Sequence, residues 1–302
     1  MRLVFMGSSE FSVPALAALI DSADHDVIAV YTKMPKPAGR GYELTKTPVH
    51  VYAESCGIEV RTPAKLSAPG EEEVMAHYAP DAIIVASYGL MLPSWTIAAA
   101  PYGCVNIHPS LLPRWRGAAP MQHAILSGDQ VTGVSIMQIV ESMDAGDIYL
   151  QRRTEINEKE NIIELSRRLS LMGSDMLMEV LGNIKSIVPI KQDEAQVTYA
   201  KKPTEFRIDF NDTAEVICRK IRALYPRVFF FLGNTRIRVL EADSYEFTGK
   251  QAAEIVDSAR LHIKCGGNTV LAPKIVQQES RNPCDVSSFM CRFKGGVVPA
   301  VS

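Results

Sequence analysis

Ala82-Ile83-Ile84-Val85-Ala86 is apolar at every position and shows none of the alternation of a strand with one wet face. A short β-branched run of this kind predicts a parallel strand buried on both faces. Arg2 to Met6, Val27 to Thr32 and Cys104 to Ile107 are near-continuous apolar runs of the same kind. Between these runs the spacing is helical. Val13 to Asp21 follows Ser12 as a candidate N-cap with Pro14 in its first turn, and Pro48 to Ser55 also opens on proline. A further helix is expected after Ser67-Ala68-Pro69-Gly70, where Glu71-Glu72-Glu73 suit the positive end of a helix dipole. Strand and helix in alternation predict a doubly wound, mostly parallel α/β sheet up to about residue 150.

Farther along, Thr132 to Ile139 and Ile148 to Thr154 read as strands, and Asn161 to Ile184 as a long helix weakened locally by Gly173. Pro189 and the polar Lys191-Gln192-Asp193-Glu194 then read as an exposed connection. The expected organisation is a domain at 1–188, a linker at 189–204 and a second domain at 205–302. In that domain a short helix, Thr213 to Leu224, precedes five brief strands: Phe229 to Leu232, Thr235 to Leu240, Ala253 to Asp257, Leu261 to Cys265 and Thr269 to Ala272. Gly233-Asn234 and Gly266-Gly267-Asn268 supply turns, and the whole predicts a small β-barrel.

Composition narrows the class. With 302 residues, 47% hydrophobic and 22% charged, the chain has material for two cores. Its longest apolar runs fall far short of the roughly 20 residues of a membrane span. The first residues already read as a strand, leaving no room for a secretory leader, so a cytoplasmic protein is expected. Six cysteines without a Cys-x-x-Cys pair or a histidine set at metal-ligand spacing read as free thiols, and no metal site is expected. Gly7-Ser8-Ser9-Glu10-Phe11 lacks the spaced glycines of a nucleotide loop. Charge is uneven: residues 1–200 carry 16 Lys+Arg against 23 Asp+Glu, and residues 201–302 carry 16 against 11. A basic tail on an acidic body favours a polyanionic partner.

Chemistry concentrates where one apolar strand meets proline: Asn106-Ile107-His108-Pro109-Ser110-Leu111-Leu112-Pro113. Asn106 and His108 alternate along a strand end and so share a face, at the carboxyl edge where open α/β sheets bind ligands. Pro109 to Pro113 forms a stiff wall with apolar Leu111 and Leu112, suited to a flat heterocycle. Asp144, in the loop Met143-Asp144-Ala145-Gly146-Asp147, adds a carboxylate, with Asp147 as its rival. An amide, an imidazole and a carboxylate can polarise a carbonyl and move a proton without a covalent enzyme intermediate.

These residues, with Pro37-Ala38-Gly39-Arg40-Gly41, Tyr88-Gly89-Leu90-Met91-Leu92-Pro93, Arg114-Trp115-Arg116-Gly117-Ala118-Ala119-Pro120 and Thr132-Gly133-Val134, resemble the folate-dependent formyltransferases over nearly the whole length. The Asn106 to Pro113 block alone is shared with glycinamide ribonucleotide enzymes. The Arg114 to Pro120 extension, the Pro37 to Gly41 loop and the basic tail point to the branch that formylates initiator methionyl-tRNA. The resemblance implies a Rossmann-like domain followed by an OB-like barrel, 10-formyltetrahydrofolate as formyl donor, and no metal. It implies Asn106, His108 and Asp144 as the catalytic set. Ser110, Leu111, Leu112 and Pro113, with Tyr88, Gly89 and Leu90, are the expected folate contacts. Lys33, Lys36, Arg40, Lys46, Arg114, Arg116, Lys201, Lys202 and Arg222 are the expected tRNA contacts, and a monomer with no obligate protein partner is expected. A formyltransferase for an amino sugar nucleotide is the alternative, since its two-domain layout is similar.

Departures from the family pattern fall in the tRNA-facing parts. Lys33-Met34-Pro35-Lys36 stands where the family commonly has Gln-Pro-Asp-Arg, and Tyr225-Pro226-Arg227-Val228 replaces an Asn-Pro followed by tryptophan.

Overall fold

Leu3, Val4, Phe5 and Met6 of the first strand, β1 (Arg2–Gly7), have no solvent exposure at all, as a doubly covered parallel strand requires. The computed structural model describes residues 1–38, 43–293 and 298–302. From β1 the chain passes through α1 (Val13–Asp21), β2 (Asp26–Tyr31), a small hairpin of β3 (Lys36–Ala38) and β4 (Glu43–Thr45), α2 (Pro48–Ser55), β5 (Val60–Arg61) and α3 (Glu71–Tyr78). There follow β6 (Ala82–Ala86), α4 (Ser94–Ala98), β7 (Cys104–His108), α5 (Pro120–Ser127), β8 (Val131–Gln138), β9 (Ile148–Glu155) and α6 (Ile162–Asn183).

Seven strands make one sheet in the order β5-β2-β1-β6-β7-β8-β9. The pairs from β5 to β7 are parallel, and β8 turns antiparallel to β7, with Val105 opposite Gln138 and His108 opposite Ser135. All five residues of β6 are buried, confirming the reading of Ala82 to Ala86. Local chemistry sets the helix ends: the Thr47 hydroxyl accepts the His50 N–H at 3.1 Å, with Pro48 next in line. The glycine in α6 also has its reason. A Cβ on Gly173 would stand 2.6 Å from Cγ2 of Ile107, so the helix approaches β7 closely only because this position is bare.

Two compact units emerge from the contacts. The first holds Met1–Pro120, Thr132–Glu155 and Ser166–Tyr199; the second holds Met121–Val131, Ile156–Leu165 and Ala200–Ser302. In the second, α7 (Ala214–Ala223) is capped by Thr213 and buries Ala214, Ile217 and Ile221 along one stripe. It precedes β10 (Phe229–Leu232), β11 (Thr235–Glu246), β12 (Ile255–Asp257), β13 (His262–Cys265), β14 (Thr269–Gln278), β15 (Cys284–Asp285) and α8 (Val286–Met290). The strands form an antiparallel sheet in the order β10-β11-β14-β13-β12, with β15 also on β14. Register shifts around Glu241 bend β11 and curl the sheet into a half-barrel. Its core is Val228, Phe230, Ile237, Val239, Ile263, Val270, Leu271 and Val276.

Candidate active site

At the carboxyl end of β7, Asn106 and His108 project from one face while Ile107 is buried against α6 on the other. Asn106 is half-buried and His108 only 4% exposed. The Nε2 of His108 lies 3.0 Å from the carbonyl oxygen of Trp115, and Nδ1 lies 3.7 Å from Oδ2 of Asp144. A carbonyl only accepts, so Nε2–H donates to it and Nδ1 is the ring atom that faces the carboxylate. The same Oδ2 accepts the backbone N–H of Gly117 at 2.7 Å. The structure thus brings His108 and Asp144 together, and Asp147 stays with the strands, its carbonyl accepting the Gln138 N–H at 2.9 Å.

Both groups facing the imidazole sit on strained backbone. Trp115 has φ 65° and Asp144 φ 51°, a left-handed conformation that costs a residue with a side chain roughly 1–2 kcal/mol. Such positions persist only where neighbours hold them.

The proline wall is pinned from behind. Ser135 Oγ donates to the Ser110 carbonyl at 2.6 Å and accepts the Leu112 N–H at 3.1 Å; Gln151 Nε2 donates to Ser135 Oγ at 2.9 Å and to the Leu112 carbonyl at 2.7 Å. Ser110 and Leu112 are buried, and the Ser110 hydroxyl is spent on the Arg114 carbonyl at 2.6 Å. Leu111, Pro113 and Leu90 are half-buried, and Met91 is largely exposed. Tyr88 is buried; burial pushes its phenol upward, and its carbonyl accepts the Ser8 hydroxyl at 3.0 Å. Gly89 has φ +74°, and a Cβ there would collide with the Lys33 ammonium, so those two residues meet.

The cationic residues divide by environment. Lys36 is exposed, and Lys46 is engaged by Glu54 at 2.6 Å. Arg40 lies outside the described residues. Arg114 is exposed and stacks 4.2 Å from the Trp115 ring centroid. Arg116 is only 3% exposed, its guanidinium held by Glu194 at 2.7 Å and Gln192 at 3.0 Å. Lys201 and Lys202 are exposed in the second unit, where Arg222 is half-buried and donates to the Glu160 carbonyl at 3.1 Å. Ser135, Gln151, Gln192 and Thr198 went unread in the sequence, because each reaches the site through contacts with residues far away in the chain. Among the described residues no three His, Cys, Asp or Glu side chains are placed to hold a metal ion.

Comparison with known proteins identifies the family. Residues 1–181 match the model of the formyl transferase family, and residues 201–294 match that of the formyl transferase C-terminal domain. The methionyl-tRNA formyltransferase of Anaplasma phagocytophilum (strain HZ) is 67% identical over 302 residues, covering 100% of both chains. That of Anaplasma marginale (strain St. Maries) is 59% identical over 297 residues, 98% of each. Among solved structures, an N-formyltransferase from Helicobacter canadensis in complex with folinic acid and dTDP-3-aminofucose superposes with a TM-score of 0.68. The match covers 90% of this chain and 99% of that one at 18% identity, a likeness of fold.

Proposed function

The chain belongs to the formyl transferase family, in its methionyl-tRNA formyltransferase branch, and on that premise we propose that it moves the formyl group of 10-formyltetrahydrofolate to the α-amine of initiator methionyl-tRNA. The observation that carries the chemistry is the buried His108 with an acceptor at each ring nitrogen, two residues beyond Asn106.

The neutral methionyl amine attacks the formyl carbon, and the carbonyl oxygen gains charge as the tetrahedral centre forms. Asn106, half-buried on the same face of β7, is one donor to that oxygen. His108 adds a second donor only where the formyl oxygen takes the place of the Trp115 carbonyl on Nε2. As the C–N bond forms, the amine's proton passes toward Nδ1 of His108 and Asp144, directly or through water. When the bond to N10 breaks, N10 takes up a proton, so amine and donor exchange a formyl group for a proton with no net change. Leu90, Met91, Leu111 and Pro113 offer the apolar surface a pterin ring needs, beside the reacting set. Residues 1–188 supply this chemistry in the proposed division of labour, and the basic domain at 205–302 grips tRNA. The protein acts as a monomer. No helix among the described residues is long and apolar enough to cross a membrane.

The deciding experiment offers radiolabelled 10-formyltetrahydrofolate with methionyl-tRNA or with an amino sugar nucleotide. Label recovered as formylmethionine on tRNA supports the proposal; label on the sugar nucleotide alone overturns it.

A further inference from the structure

By sequence, residues 192–198 belong to a polar connector; in the structure they bind both strained loops that face His108. We propose that this segment is a strap serving the active site, and that Gln192 and Arg116 are positioning residues that hold Asp144 against the imidazole. The inference rests on the proposed transfer reaction for its kinetic consequences and on geometry alone for its physical claim.

The need for a strap follows from the direction of β8. It runs antiparallel to β7, so its last residue, Gln138, lies beside Val105, three residues and about 10 Å from His108 along the strand. The loop after β8 must therefore double back to bring Asp144 to the imidazole, and it does so with Asp144 in a left-handed conformation. Gln192 fixes this return. Its Nε2 donates to the Asp144 carbonyl at 2.8 Å and to the Gly146 carbonyl at 2.7 Å. Its Oε1 accepts Nε–H of Arg116 at 3.0 Å, which orients the amide so that both of its N–H groups point at the loop.

Arg116 joins the second strained loop to the same strap. Its buried guanidinium makes a two-pronged pair with Glu194 at 2.7 and 3.2 Å, and the neighbouring cation holds the Glu194 carboxyl below its ordinary value. Along the backbone, Trp115 N–H donates to Thr198 Oγ1 at 2.9 Å, Arg116 N–H to the Thr198 carbonyl at 2.9 Å, and Thr198 N–H to the Pro113 carbonyl at 3.3 Å. The partners of the two His108 nitrogens, Asp144 and the Trp115 carbonyl, are thus both tied to residues 192–198. A guanidinium so committed is not presented to a phosphate, which gives Arg116 a different task from the tRNA contact that its charge suggests.

The test compares Gln192→Ala, Gln192→Glu, Arg116→Ala and Glu194→Ala with the wild-type enzyme. Gln192→Ala is expected to lower kcat by about 100-fold, the effect of displacing a reacting group by about 1 Å, with KM for methionyl-tRNA and for the formyl donor within about threefold. Gln192→Glu is expected to do no better, because a carboxylate oxygen would face the two carbonyls. In Arg116→Ala, added guanidinium ion is expected to restore kcat by about tenfold while leaving the wild-type enzyme unaffected. Glu194 is exposed, so Glu194→Ala opens no cavity, and in the variant shown folded by circular dichroism kcat is expected to fall by about tenfold. Unchanged kcat in Gln192→Ala and Glu194→Ala overturns the proposal. So does an Arg116→Ala effect confined to KM for tRNA with a flattened salt dependence, which marks a phosphate contact. A readout free of activity is the 15N signals of the His108 ring, expected to move in Gln192→Ala. If wild-type protein formylates no tRNA, the functional reading fails by itself, and unmoved ring signals then separately overturn the strap.

Discussion

Replacing Asp144 by asparagine changes charge with little change of shape, because the amide oxygen can still accept the Gly117 N–H that Oδ2 accepts at 2.7 Å. What is lost is the interaction with a His108 carrying the amine's proton. At 3.7 Å between Nδ1 and Oδ2, and an effective dielectric constant of about 20, opposite charges attract by about 4 kcal/mol. The two side chains are 5% and 19% exposed, so solvent screens this pair less than a surface one. A hydrogen bond from the charged imidazole to the asparagine oxygen returns about 2 kcal/mol, which leaves about 2 kcal/mol. That corresponds to a fall of about 30-fold in the chemical step. The assay is single-turnover formylation at saturating methionyl-tRNA and formyl donor, which isolates chemistry from binding. A rate within about fivefold of wild type, with the variant folded, would refute the role given to the carboxylate; loss through a raised KM for tRNA would reassign Asp144 to binding.

Gly146→Ala tests the same loop without touching charge: the added Cβ would collide with the Gln138 carbonyl and lie 2.8 Å from its carbon, a backbone obstacle no rotamer change relieves. Its expected signature is about 1–3 kcal/mol lost in thermal or urea unfolding together with about 100-fold in kcat, and a fully active variant would show the loop to be insensitive to its own placement. Thiol titration at pH 8 is expected to modify Cys56 and Cys291, which are exposed, and to spare Cys104 and Cys218, whose thiols burial pushes up to about 12. The linkage has a sign: the raised folded value leaves this stability intact below the ordinary thiol value of 9.0, and it is lost as pH rises toward about 12, so alkaline unfolding should steepen in that window. Lys201→Gln combined with Lys202→Gln should weaken tRNA binding and reduce the slope of log K against log salt by about 1.5 if both meet phosphates, with kcat unchanged; an unaltered slope removes them from the interface.

The parts of the fold that were legible share one property, that burial decides them locally. Ala82 to Ala86 could only be a doubly covered strand, and Pro48 after Thr47 could only open a helix well. Elsewhere, partners in space settle the outcome. β11 and β14 continue to Glu246 and Gln278, well past Leu240 and Ala272, where Glu241 and Pro273 break the apolar run. Both irregular residues are absorbed where the register shifts, Pro273 standing opposite Ala242 beside the bulge at Glu241. The helix α5 was also missed, although Pro120 at its first position is the usual sign of a helix start. Asn106 and His108 were readable because two-residue spacing on a strand fixes a shared face. Asp144 could be nominated as a carboxylate in a glycine loop, but nothing near it says that β8 runs away from His108 or that Gln192, 48 residues on, returns the loop to the imidazole. The surroundings of Arg116 are hidden from the sequence for the same reason. Among Arg114-Trp115-Arg116, charge alone makes the two arginines equivalent, whereas the fold exposes one over an indole and buries the other against a carboxylate. Whether a cation in a loop can meet a phosphate depends on which side chains reach it from elsewhere in the chain, and tertiary structure sets that condition.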